Sequence, residues 1–128
     1  MFSLYIHNRM SNIKVFENDL PNDLDLSNEK FIGLDNEALG LVLGRDPLTL
    51  VQLGLESKNF YLVKLNRKTY KAPNLVKVLS NNKTQFIMHY ARQDLMWLKY
   101  HLNVKPKNIF CTKVASKIAR TASSFHGY

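Results

Sequence analysis

Two carboxylates stand one residue apart at the end of an apolar run, "FIGLDNEALGL" (31–41). Side chains alternate between the two faces of a β-strand, so an extended conformation points Asp35 and Glu37 the same way. Two like charges side by side cost free energy unless water or a cation neutralises them. Divalent cations prefer such oxygen ligands, which makes this strand end a candidate metal site.

The spacing of these two acids is not unusual in this chain. It recurs in two other pairs, Glu17 with Asp19 and Asp23 with Asp25. Both pairs belong to the acidic, Asn-rich stretch 17–29, which predicts a loop where solvated acids cost little. The third pair instead closes an apolar strand, so its context rather than its spacing makes it the candidate.

A third carboxylate, Asp94, follows the predicted strand "TQFIMHY" (84–90) in the first turn of a predicted helix, "ARQDLMWLKYHL" (91–102). The helix dipole favours a negative charge there, so taken alone Asp94 is best interpreted as stabilising the helix terminus. The alternative is that Asp94 joins Asp35 and Glu37 in one site.

Other polar and aromatic residues have two interpretations each. His89 closes the strand before the helix, where it either contacts a substrate phosphate or is a hydrogen-bonded structural residue. Gln52 either reads a nucleotide or satisfies a backbone group. Trp97 and Tyr100 either stack on bases or pack in the core, and Cys111 is expected to be a small buried residue. The structural interpretation is favoured for all of them.

The elements that must position these residues follow from turn signals and periodicity. Three apolar strands separated by turns predict an antiparallel meander: 30–37, 46–57 and 58–66. Strands and helices then alternate: helix 72–82, strand 84–90, helix 91–102, strand 107–112 and helix 112–123. Such an order predicts an α/β fold, a mixed sheet flanked by helices.

Composition limits the class of protein. The chain has 128 residues, of which 45% are hydrophobic, as expected for one domain with its own core. No apolar segment approaches the roughly 18 residues that span a bilayer, so no membrane association is expected. The single cysteine, Cys111, permits no internal disulfide and favours a reducing compartment such as the cytoplasm. Residues 1–12 are interpreted as an N-terminal extension.

The net charge of +8 is unevenly distributed. Through Glu56 the chain has nine acids and four bases, and from Ser57 onward it has fourteen bases and one acid, Asp94. A basic half of this kind is either a solvated surface or a surface that binds a polyanion such as nucleic acid.

The chain resembles the ribonuclease D branch of the DEDD 3′-5′ exonucleases, and in particular its short bacterial nano-RNase-like members, from about Ile13 to Gly127. Four blocks carry the resemblance in order: "FIGLDNEALGL", "LTLVQLGL", "FIMHYARQDLMWLKYHL" and "IFCTKVASKIART". Together they are more specific than any one of them.

The resemblance implies a ribonuclease H-like fold with helices on both faces of the sheet. The family's Asp-x-Glu motif falls on Asp35 and Glu37, with Asn36 where Thr is common, and its second motif falls on Asp94. The implied cofactors are two divalent cations, Mg²⁺ or Mn²⁺, that activate water and stabilise the leaving oxygen. Asp35 and Asp94 would be metal ligands, and Glu37 would bind metal and the 3′ end of a short RNA.

The sequence departs from the family at its C-terminal end. The family requires a fourth carboxylate and a Tyr four residues before it, whereas this chain ends in "SSFHGY". Tyr128 has no downstream Asp and cannot be carried over as that Tyr. Residues 13–128 are therefore interpreted as the N-terminal part of an exonuclease domain, incomplete at the C-terminus.

Three functional hypotheses follow. The first is a 3′-5′ exonuclease domain acting on short RNA, with impaired activity because the Tyr-x-x-x-Asp motif is absent. The second is a non-catalytic remnant that binds nucleic acid. The third is one half of a split enzyme that a C-terminal chain completes. Missing helices would leave apolar surface exposed, so either such a chain or a second copy is expected as a partner.

Overall fold

The computed structural model of this chain describes residues 12–120. Nearly all of the predicted N-terminal extension lies outside the described residues. So do the last residues of the predicted C-terminal helix, together with Tyr128.

Six strands and three helices make up the described part. The strands are β1 (Ile13–Glu17), β2 (Phe31–Ala38), β3 (Leu48–Leu55), β4 (Phe60–Lys64), β5 (Gln85–Met88) and β6 (Ile109–Cys111). The helices are α1 (Pro73–Leu79), α2 (Ala91–Leu102) and α3 (Thr112–Ala119). Every element predicted from the sequence is present, and β1 is the only one of the nine that the sequence analysis missed.

The strands form one mixed sheet in the order β1-β4-β3-β2-β5-β6. The meander is confirmed, because β3 pairs antiparallel with both β2 and β4. The other three pairings are parallel: β1 with β4, β5 with β2, and β6 with β5. This is the mixed sheet flanked by helices that the ribonuclease H-like resemblance implied.

Helix α1 begins where the sequence predicted, with Pro73 in its first turn. Its first free N–H groups are capped from a distance. The backbone N–H groups of Asn74 and Leu75 donate to the Asp19 carboxylate at 2.9 and 2.8 Å. One of the acids in the predicted loop therefore has a structural role, which supports the choice of the third acid pair as the candidate.

Apolar residues recur along α2 at helical spacing, at Ala91, Leu95, Leu98 and Leu102, which predicts one core-facing stripe. Of these four, Ala91, Leu98 and Leu102 are buried. Leu95 is only partly buried, whereas Trp97 is 4% exposed and belongs to the core. The indole is stacked on His101 with ring centroids 5.4 Å apart, so packing rather than base stacking is the role of Trp97.

Alternation along the strands gives the sheet two different faces. One face, here called the buried face, packs against α1 and α2 and includes Ile32, Leu34, Val51, Leu53, Val63, Phe86 and Met88. The register places the intervening residues together on the other side, here called the open face: Gly33, Asp35, Glu37, Gln52, Gly54, Phe60, Leu62 and Ile87. Within residues 12–120 none of these open-face residues is fully buried.

No helix in the described part of the chain is long and apolar enough to cross a membrane.

Candidate active site

Strand β2 places Asp35 and Glu37 on the open face, as the alternation predicted. Asp35 lies opposite Gln52 on β3, and its Oδ1 accepts a hydrogen bond from the backbone N–H of Asn36 at 2.9 Å. The register between β2 and β3 shifts directly after Glu37, and the Thr49 hydroxyl donates to the Glu37 carbonyl at 2.9 Å. Such bulges bend a strand and redirect its side chains, and this one lies beside the candidate carboxylates.

Asp94 lies in the first turn of α2 and is partly buried. The residue before the helix is Tyr90, and no N-cap side chain caps α2. The pKa of the Asp94 carboxyl is raised to about 7, first by burial and then by the negative charges of Asp35 and Glu37. The repulsion means that the three carboxylates lie near one another, although Glu37 and Asp94 are 57 positions apart in the sequence.

Asn36 links the two parts of the site. Its side chain points away from those of its two acidic neighbours, and its Nδ2 donates to the main-chain oxygen of Asp94 at 3.0 Å. Its Oδ1 is buried and has no hydrogen-bond partner within residues 12–120. Asn36 therefore fixes the start of α2 relative to β2, a role that the sequence analysis did not anticipate. The one signal for this role in the sequence is that Asn36 stands between two candidate site residues.

A cleft of about 530 Å³ opens on this face of the sheet. Its polar lining consists of Asp35, Glu37, Gln52 and His89, and its apolar lining includes Gly33, Gly54, Phe60, Leu62 and Ile87. Asp94 borders a smaller cleft of about 140 Å³, which it shares with Glu37, Asn36 and Trp97. Glu37 lines both clefts and so joins Asp94 to the larger one.

The three carboxylates are of the ligand type that a divalent cation prefers, but they are not arranged as a complete metal site. All three supply the hard oxygen ligands that Mg²⁺ and Mn²⁺ prefer. Within residues 12–120, however, no three His, Cys, Asp or Glu side chains form a group that could hold a metal ion. The described residues therefore provide the right donors without a closed coordination site.

The other candidates are placed as follows. The amide of Gln52 faces the cleft and has no hydrogen-bond partner in the described part, contrary to the expectation that it satisfies a backbone group. His89 also lines the cleft, and its Nδ1 lies 2.8 Å from the Thr112 hydroxyl oxygen. Tyr100 is 58% exposed. Cys111 is half-buried, and its Sγ accepts the backbone N–H of Ala91 at 3.5 Å.

Comparison with known proteins gives one family and several solved structures. The family model described as 3′-5′ exonuclease matches residues 14–128. Brucella melitensis NrnC bound to pGG is 38% identical, with a TM-score of 0.82, over 91% of this chain and 56% of that chain. The same protein with bound Mg²⁺ matches with a TM-score of 0.83. The Aedes aegypti Nibbler EXO domain, at 16% identity and a TM-score of 0.67, is similar in fold over 90% of this chain and 59% of that one. Comparison with curated protein sequences gives no match.

Proposed function

Because this chain belongs to the 3′-5′ exonuclease family, we propose that it forms part of an exonuclease domain that hydrolyses phosphodiester bonds of short RNA by a two-metal mechanism. The observation that carries the proposal is the mutual approach of Asp35, Glu37 and Asp94: burial raises the pKa of the Asp94 carboxyl to about 7, and the negative charges of Asp35 and Glu37 add to that rise. Surplus negative charge in one place is expected of a site that binds cations.

Mg²⁺ or Mn²⁺ would be held by Asp35, Glu37 and Asp94, and when bound it supplies activation of water and stabilisation of the leaving oxygen. Asn36 keeps the Asp94 turn against β2, so that the carboxylates approach from two separate elements. The bulge at Thr49 fixes the strand end that carries Glu37. Glu37 would contact the 3′ end of a substrate as well, a role that its position between the two clefts supports.

Short RNA is the proposed substrate. The NrnC structure that this chain resembles at 38% identity contains pGG. The fourteen Lys and Arg residues from Ser57 onward would attract phosphates. A cytoplasmic location is part of the proposal, since one cysteine permits no internal disulfide.

The chain spans 56% of the length of the NrnC chain that it matches. In residues 12–120, no fourth acidic residue lines the two clefts beside Asp35, Glu37 and Asp94. We therefore propose that these residues alone cleave RNA weakly or not at all, since catalytic groups that act as a unit fail together.

Two alternatives accompany this proposal. A non-catalytic remnant would keep the fold and the basic surface and bind nucleic acid without cutting it. One half of a split exonuclease would gain activity from a complementing C-terminal chain or a second copy. Exposed apolar side chains such as Leu41 (82% exposed) and Ile118 (71% exposed) favour a partner of either kind.

The test is cleavage of a labelled RNA dinucleotide with Mn²⁺, by the chain alone and mixed with a polypeptide carrying a relative's Tyr-x-x-x-Asp segment. We expect little cleavage alone, a gain of at least about 10³-fold in the mixture, and loss of that gain in Asp94→Ala. Asp23→Ala, a change in the exposed loop, is the matched control and should leave cleavage unchanged. Strong cleavage by the chain alone contradicts the proposed impairment. RNA binding without cleavage in any mixture favours the non-catalytic remnant.

A further inference from the structure

The turn between β5 and α2 is joined to the start of α3, because the parallel pairing of Met88 with Cys111 brings the residues that follow these two strands together. Three contacts connect them: His89 Nδ1 to Thr112 Oγ1 at 2.8 Å, Lys113 Nζ 4.0 Å above the Tyr90 ring, and the Ala91 N–H to Cys111 Sγ at 3.5 Å. Tyr90 itself adopts a positive φ of 57°, which a non-glycine residue keeps only where its surroundings hold it. The His89 backbone is therefore anchored, and the orientation of its ring depends on Thr112.

The Thr112 hydroxyl has a single proton to donate, and the main-chain oxygen of Met88 is within reach as its acceptor. Thr112 Oγ1 donates to the main-chain oxygen of Met88 at 3.3 Å. A carbonyl can only accept, so the proton used there is no longer offered to the histidine. Both contacts of Oγ1 are satisfied at once only when it accepts from His89, and this arrangement has the proton of the neutral imidazole on Nδ1. The other ring nitrogen, Nε2, keeps its lone pair and has no protein partner within residues 12–120.

We propose that Thr112 holds neutral His89 in the Nδ1–H tautomer, so that Nε2 accepts a hydrogen bond from a ribose hydroxyl of the bound nucleotide. His89 lines the same cleft as Asp35 and Glu37, which is where the proposed function places the end of a short RNA. This inference rests on that proposed function for the nucleotide, whereas the tautomer rests on the hydrogen bonds alone.

A hydroxyl rather than a phosphate is the matching ligand because of what the cleft offers. Ionised Asp35 and Glu37 only accept hydrogen bonds, and in the assigned tautomer Nε2 also only accepts. A phosphate oxygen brings no proton to such a group, whereas each ribose hydroxyl is a donor. The 2′-hydroxyl is also the group that distinguishes RNA from DNA. The sequence analysis offered a phosphate contact as the substrate-binding alternative for His89, and in this proposal His89 contacts the sugar instead.

Thr112 is suited to a test because its hydroxyl does not cap α3. The helix begins at Thr112, its N-cap residue is Cys111, and no side chain caps it there. Thr112→Val keeps the shape and β-branching of the side chain and removes only the hydroxyl. Thr112→Ser keeps the hydroxyl, and the two variants therefore separate hydrogen bonding from packing.

The first readout is the ¹⁵N NMR spectrum of the His89 ring at a pH where it is neutral. We expect the Nδ1–H tautomer in wild type and in Thr112→Ser, and a shift toward Nε2–H in Thr112→Val. A matching thermal midpoint in the variants will show that they fold. An Nε2–H tautomer in wild type, or an unchanged tautomer in Thr112→Val, would overturn the assignment whether or not the chain is a nuclease.

The second readout is calorimetric affinity for the RNA dinucleotide pGG and for its 2′-deoxy counterpart, with Mg²⁺ present and the recovered dinucleotides checked for cleavage. Loss of one neutral hydrogen bond predicts about three- to tenfold weaker pGG binding in His89→Ala and Thr112→Val, with the preference over the deoxy form reduced. Thr112→Ser should restore both. Equal affinities in all variants, or no pGG binding by wild type, would overturn the sugar contact. Absence of pGG binding by wild type would also count against the proposed function. The NMR test of the tautomer does not depend on either binding result.

Discussion

The same strands supply both faces of the sheet, because the side chains of successive residues point to opposite sides. On β2, Ile32 and Leu34 are 0% and 3% exposed, whereas Asp35, the next residue, is exposed. On β5, Phe86 and Met88 are buried, whereas the intervening Ile87 and the following His89 line the cleft. The buried face supplies folding free energy, and the open face carries the groups that can do chemistry.

The carboxylate site, in which Asp94 of α2 meets two residues of the open face, costs stability. Burial of Asp94 and the charges of Asp35 and Glu37 make ionisation of that carboxyl unfavourable, and no basic side chain is paired with it in the described residues. Proteins keep such unfavourable interactions at functional sites when the rest of the structure is stable enough to offset them. Here the apolar core between the buried face and helices α1 and α2 supplies that stability.

The largest expected stability effect is a leucine truncation that compares the two faces directly. Leu53 is 1% exposed on the buried face, whereas Leu62 is half-buried on the open face. Leu53→Ala should lower the free energy of unfolding by about 2–5 kcal/mol, because it leaves a cavity in a packed core. Leu62→Ala should lower it by about 1 kcal/mol, because less apolar surface is lost from a dry environment. Chemical denaturation of both variants measures the difference.

Equal losses at the two positions would contradict this contrast. They would mean that another protein surface packs on the open face in solution. If the unfolding midpoint then falls on dilution, that surface belongs to a second copy of this chain.

The buried face is the part that the sequence predicts well. Apolar spacing and turn residues located the meander, α1 and α2, because burial enforces periodicity. Edge strand β1 was missed, since Val15 is 55% exposed and none of its five residues is fully buried, so burial imposes no alternating pattern on the segment.

Contacts within the site are a different case. Asp35 and Glu37 could be placed by alternation, but the Asn36–Asp94 and His89–Thr112 hydrogen bonds span 58 and 23 residues. Sequence periodicity carries no information about such pairs, because they depend on how separate elements pack. The burial of Trp97 in place of Leu95 has the same origin.

A smaller effect is expected from Asp94→Asn in the absence of metal. The folded-state pKa of Asp94, about 7, lies above its ordinary value of 3.8, so the ionised carboxylate destabilises the fold above about pH 7. Asp94→Asn should therefore raise the melting temperature at pH 8. The gain should shrink as the pH falls from 7 toward 4 and vanish below the ordinary value of 3.8, where the wild-type carboxyl is protonated in both the folded and the unfolded state.

The control for this experiment is Asp25→Asn. Hydrogen bonds from Ser27 lower the pKa of the Asp25 carboxyl, so its removal should not stabilise the fold at pH 8. A melting temperature that falls in Asp94→Asn at pH 8 would mean that the Asp94 carboxylate has a stabilising partner, and the statement that the carboxylate site costs stability would then be wrong.

The smallest effect concerns the basic half of the chain. Lys117 is exposed on α3, and Lys14 is exposed on β1 in the acidic half. Lys117→Glu should weaken RNA binding a few-fold and lower the slope of log affinity against log salt by about 1, because each phosphate contact releases counterions. Lys14→Glu makes the same change in net charge and should have less effect. Equal effects of the two changes would indicate that the basic residues form a solvated surface and not a site for RNA.

The central claim is that Asp35 and Glu37 of the open face and Asp94 of α2 together bind a divalent cation, and calorimetric titration with Mn²⁺ tests it most directly. We expect weak binding by wild type, because the described residues do not form a closed site. Asp35→Ala should abolish that binding, and Asp23→Ala should leave it intact. Equal binding by wild type and Asp35→Ala would contradict the account.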